Sequence, residues 1–100
     1  MMEMIKTKNG GELSIALKGR LDTTTAPQLE TELRTALDGI TALTFDLKDL
    51  AYISSAGLRV LLSAQKTMNR QGEMTIRNVS TEIMDIFEVT GFVDILNIEG

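Results

Sequence analysis

Asp46-Leu47-Lys48-Asp49-Leu50-Ala51-Tyr52-Ile53-Ser54-Ser55-Ala56-Gly57-Leu58-Arg59-Val60-Leu61-Leu62 runs through a strand, a polar loop, two serines and an apolar helix start. The serines stand where a helix N-cap is expected. Gly57 lies inside the first helical turn, where glycine costs roughly 1 kcal/mol relative to alanine. Something must offset that cost, either close backbone packing or a partner that approaches the helix end. Downstream, Leu58, Leu61, Leu62, Gln65 and Met68 form one stripe, the face that packs on a sheet. Arg70-Gln71-Gly72 stops the helix with a cation at its negative end and a glycine beyond.

The pattern continues on both sides. After Gly72, Glu73–Arg77 reads as a strand. Ser80 is an N-cap for a helix carrying Ile83, Ile86 and Phe87, which Gly91 ends, and Ile95–Ile98 is a last short strand. Before Asp46, Leu43–Leu47 is a strand and Leu50–Ser55 a loop leading to the helix. Leu29, Leu33, Ala36, Leu37 and Ile40 recur at helical spacing, with Thr25 as cap accepting from the Gln28 N–H, Pro27 in the first turn and Gly39 at the end. Gly19-Arg20-Leu21-Asp22 is a loop. Asn9-Gly10 predicts a type I′ hairpin between Met4–Thr7 and Glu12–Leu17, with Leu13, Ile15 and Leu17 on one face.

The order is therefore β-β-α-β-α-β-α-β over residues 1–100, one domain. It predicts an α/β fold with three helices and a mostly parallel mixed sheet of about five strands, opened by an antiparallel hairpin. In such sheets function gathers beyond the carboxyl ends of the strands. That rim collects Gly19–Thr25, Asp49–Leu58, Asn78–Ser80 and Gly100.

Composition narrows the chemistry. The chain has 100 residues, no Cys, His or Trp, and a net charge of −4. Zinc fingers, haem ligation, thiol catalysis and a Ser-His-Asp triad are excluded. An acidic chain lacks the basic footprint of a non-specific nucleic-acid binder. The longest purely apolar run is Leu50–Ile53, too short to cross a membrane, and MMEMIKTKNG lacks the apolar centre of a signal peptide. With no cysteine, a cytoplasmic protein is expected. Asp46 and Asp49 could hold Mg²⁺ beside a nucleophilic Ser55, but nothing in the motif activates the serine and no phosphate-binding Gly loop exists. The expectation is no catalytic residue, no metal and no cofactor. Met68, Met74 and Met84 read as core filler.

The segment Ser54-Ser55-Ala56-Gly57-Leu58 resembles the signature of the STAS domain family, in particular its stand-alone bacterial anti-sigma factor antagonists. Gly19-Arg20-Leu21-Asp22 is similar to the family's Gly-x-Leu-Asp, Gln71-Gly72-Glu73-Met74 to its entry into the next strand, and Phe87–Gly91 to its final helix. The likeness covers essentially the whole chain, with Ser54 standing where the family often has Asp.

The resemblance implies a switch. The family's phosphoacceptor is the serine two residues before the motif glycine, Ser55 here, with Ser54 the second choice. The implied partners are an anti-sigma factor with GHKL-type serine kinase activity and a PP2C-type phosphatase. Asp22, Thr23, Thr24, Ser54, Ser55, Ala56, Gly57 and Arg59 are the implied partner-binding residues. From spacing alone Ser55 reads as an N-cap rather than a phosphoacceptor, though Ser54 is the better placed cap. Asp22 could instead cap its own loop, and Arg59 could be plain solvated surface. The alternative function is a STAS subunit of a lipid-transport or signalling scaffold complex without a phosphoswitch. A free hairpin edge allows a monomer or a weak dimer.

Overall fold

Alternating apolar residues dictate a sheet buried on one side only, and that is the architecture found. The computed structural model describes residues 2–99. Its elements run β1 (Met2–Asn9), β2 (Glu12–Leu21), α1 (Ala26–Ala36), β3 (Ala42–Ile53), α2 (Ser55–Gln71), β4 (Glu73–Arg77), α3 (Thr81–Thr90), a 3-10 turn at Phe92–Asp94, and β5 (Ile98–Glu99). The strands lie side by side in chain order, with β1–β2 antiparallel and the other pairs parallel. The expected order and mixed sheet are both present.

Each parallel crossover moves to the next strand in the same direction. Right-handed connections then place α1, α2 and α3 on one face. Burial agrees: Leu13, Ile15 and Leu17 on β2 and Leu43, Phe45 and Leu47 on β3 are buried, while the intervening Ser14, Ala16, Thr44 and Asp46 are not fully covered. The molecule is only 19 Å through its thinnest axis, which fits two layers. Lys6 of β1 ion-pairs with Glu32 of α1, so α1 also covers the hairpin. Met68 and Met74 are buried in the core, and Met84 packs half-buried against it.

Several local expectations are corrected. The hairpin turn is Gly10-Gly11, closed by the Asn9–Glu12 pair, and only Gly10 takes a left-handed φ (62°). A type I′ turn at Asn9-Gly10 would need two such residues. Gly19–Leu21 is strand, not loop, and β3 runs on through Leu50–Ile53. On β3 the pairing slips twice, between the partners of Ala16 and Lys18 and of Gly19 and Arg20, and the extra residues break its alternation of period two. β2 stays in phase, but its apolar series is interrupted at Gly19, which carries no side chain to mark the buried face. α1 ends at Ala36 with Leu37 as its C-cap, and Gly39 (φ 77°) sits in the turn that follows. Thr25 is the N-cap residue but makes no side-chain cap. Its hydroxyl instead donates to the Arg20 carbonyl and accepts from the Asp22 N–H, both at 2.8 Å. The last strand is Ile98–Glu99, since Phe92–Asp94 coils into the 3-10 turn.

The caps at Ser80 and Gly91 are as read: Ser80 Oγ accepts from the Ile83 N–H and Gly91 is left-handed. Gly72 ends α2, but its φ of 172° is extended backbone. A side chain is forbidden there by space, because a Cβ would stand 1.8 Å from the Thr41 carbonyl oxygen.

Candidate functional site

Leu21 and Ile53 end β2 and β3 as a register pair, so the chain leaves both strands at the same level. The Ser54 N–H donates to the Leu21 carbonyl at 2.9 Å and extends the ladder by one bond. Ser54 then caps α2: its Oγ accepts from the Gly57 N–H at 3.4 Å and its carbonyl accepts from the Leu58 N–H at 2.9 Å. Ser55 is the first helical residue and is exposed. By helix geometry its own N–H and that of Ala56 have no carbonyl within the helix to bond.

Gly57 explains why the helix start cannot shift. A Cβ there would fall 2.7 Å from Leu21 Cγ, 2.9 Å from Ile53 Cγ1 and 3.0 Å from the Leu21 carbonyl oxygen. The glycine lets α2 press directly on the ends of β2 and β3, the close-packing alternative raised by the sequence. Ser55 is thereby presented on backbone held from two sides.

The β2–α1 loop beside it is equally fixed. One Asp22 oxygen, Oδ1, accepts from the Thr24 hydroxyl (2.7 Å), the Thr24 N–H (3.0 Å) and the Thr25 N–H (3.2 Å), and takes a longer share (3.2 Å) of the Thr25 hydroxyl proton that goes chiefly to the Arg20 carbonyl. The Thr24 hydroxyl is the strongest influence, and with the other donors it outweighs partial burial to pull the Asp22 pKa from 3.8 to about 2. Asp22 therefore caps its own loop, and the Thr24 hydroxyl is turned inward onto it. Thr23 remains exposed.

Thr23, Ala56 and Arg59 meet across a shallow cleft of about 210 Å³, together with Ala26, Pro27, Glu30 and Val60. Between α1 and α2 lies a larger groove of about 610 Å³, which Glu30 and Val60 also line. All eight residues implied by the resemblance thus lie in Leu21–Ala26 or at the start of α2.

Other rim residues lie elsewhere. β4 leaves the sheet where Arg77 pairs with Asp46, seven residues before Ile53. Opposite unbulged β2 that stretch is five residues, Ala16 to Leu21, so at about 3.3 Å per residue β4 ends roughly 16 Å below the Ser54 end along the strands. Asp46 sits at that lower level, accepting from Asn78 Nδ2 and from the Lys48 N–H at 3.0 Å each. The Asn78 amide leads the lowering of its pKa, against burial, with the Lys48 N–H and the Lys48 and Arg77 charges adding to it. Asp49 is exposed on β3. Among the described residues no acidic group is dense enough to hold a metal ion, and no helix is long and apolar enough to cross a membrane. Gly100 lies outside the described residues.

One pair at the site was missed. Arg20 stacks on the Tyr52 ring at 4.3 Å and reaches Asp22 at 3.5 Å. The two are cross-strand neighbours, a relation invisible while both segments read as loops.

Comparison with known proteins places this architecture. The STAS domain family matches residues 3–100. The "Putative anti-sigma factor antagonist BtrV" of Bordetella bronchiseptica is 38% identical over 94% of this chain and 83% of its own length. The anti-sigma-B factor antagonist of Listeria monocytogenes is 33% identical over 96% of this chain and 89% of its own. Among solved structures, an anti-sigma factor antagonist from Mycobacterium paratuberculosis superposes with a TM-score of 0.88 at 19% identity, covering 98% of this chain and 85% of that one. The Bacillus cell fate determinant SpoIIAA in its phosphorylated form gives 0.75 at 17%, covering 100% and 92%. At those identities the structural likeness is one of fold. With the sequence match running from residue 3 to residue 100, the chain belongs to the STAS domain family.

Proposed function

We propose that this protein is an anti-sigma factor antagonist whose hold on its anti-sigma factor is released by phosphorylation of Ser55. The observation that carries the reading is the placement of Ser55: exposed, first in α2, on backbone clamped by Gly57 and by the Ser54–Leu21 bond. The names of the curated relatives support the antagonist class. The kinase is the partner itself, of the GHKL type, and a PP2C-type phosphatase resets the switch.

The chemistry asks little of this chain. Ser55 Oγ attacks the γ-phosphorus of kinase-bound ATP, the bond to the leaving ADP breaks, and a kinase group takes the hydroxyl proton. The product adds about −1.5 to −2 charge at the positive end of the α2 dipole. The helix start is suited to an anion, so the fold holds. An interface that accepted a hydroxyl must now bury an unpaired dianion, which is costly.

The test is phosphorylation by the host's anti-sigma factor kinase with ATP, followed by mass-spectrometric mapping. Wild type and Ser54→Ala are expected to carry one phosphate on Ser55, and Ser55→Ala none. Phosphate on Ser54, or none on wild type, would overturn the assignment.

A further inference from the structure

We propose that Arg59 reads the state of Ser55, lying over the small cleft it shares with Thr23 and Ala56 in the unmodified protein and folding back along α2 to hold the phosphate once Ser55 is modified. The inference rests on Ser55 being the phosphoacceptor. Ser55 and Arg59 are four residues apart on one helix, the spacing at which side chains meet. Long helical side chains lean towards the N-terminus, so Arg59 covers the turn that Ser55 begins. An anion N-terminal to its cation is also the favourable order for such a pair.

The surrounding charges leave Arg59 available. Across the cleft, Glu30 is paired with Arg34 at 3.6 Å. Arg20, the other guanidinium near the site, is held by Tyr52 and Asp22. Arg59 is exposed, and among the described residues it forms no ion pair. It is also the only cation in the cleft lining, where Glu30 is the only anion. Drawing Arg59 to the phosphate removes the cation from the cleft lining, where Glu30 keeps only its Arg34 partner. A single modification then alters two neighbouring places: a dianion appears on the helix start, and a cation leaves the cleft that adjoins it.

The test uses protein with phosphoserine inserted at position 55 during translation, so it needs no kinase. The second phosphate ionisation, near pH 6, is followed by ³¹P NMR in wild type, Arg59→Gln and Arg20→Gln. Arg59→Gln is expected to raise that pKa by at least about 0.3 unit, with the gap shrinking as salt is added. Arg20→Gln is expected to match wild type. Equal pKa values in wild type and Arg59→Gln would overturn the proposal, as would an equal rise in Arg20→Gln. Failure of the Ser55 assignment shows separately, as absent phosphate in the kinase reaction.

Discussion

Gly57 and Asp22 are the two residues whose physics is most specific to the site. Alanine normally stabilises a helix over glycine by roughly 1 kcal/mol. At position 57 the sign reverses, because the new Cβ would overlap Leu21 and Ile53. Gly57→Ala is expected to lose about 1–3 kcal/mol in urea unfolding. Asp22 supplies a pH dependence. Its folded pKa lies near 2 against an ordinary 3.8, so the native state favours the carboxylate. The stability it contributes is present above about pH 4 and is lost as pH falls through about 2. Asp22→Asn should therefore melt below wild type at neutral pH, with the gap closing towards pH 2. A gap constant across that range would show that the carboxylate charge is not what holds the loop. The sequence left Asp22 open between partner contact and loop cap. Nothing in its spacing says that both threonine hydroxyls turn inward onto it.

At the scale of elements, β3 and its two neighbours decide where the site lies. The helices, the Ser54 and Ser80 caps and the order of elements along the chain were legible, because each depends on local chemistry or on the spacing of apolar residues. The carboxyl ends of β2 and β3 were not. Two bulges break the alternation of β3, Gly19 interrupts the apolar series of β2, and only tertiary contact shows that Arg20 faces Tyr52. For the same reason a level rim was expected, whereas β4 stops about 16 Å short of the Ser54 end. The join between α2 and β4 has its own test. Gly72 packs on the Thr41 carbonyl that also accepts from the Glu73 N–H at 3.0 Å, the first bond of the β3–β4 ladder. Gly72→Ala must displace backbone, and a loss of at least about 2 kcal/mol in urea unfolding is expected. A neutral result would mean that this junction moves freely.

For the whole molecule, the architecture is a two-layer platform with the exposed Ser55 hydroxyl at its edge. The core reaches Ile53 and Leu58 on either side of Ser55, but Ser55 itself is exposed. Charge at position 55 should therefore change binding and leave folding alone. The direct measurement is the affinity of the host's anti-sigma factor kinase for unphosphorylated and Ser55-phosphorylated protein, alongside the unfolding curve of each. Weakening of at least about 30-fold is predicted, the size expected when a buried charge finds no partner, with unfolding midpoints unchanged. Equal affinities would contradict the switch, and a collapsed midpoint would contradict the rigid platform on which it is built.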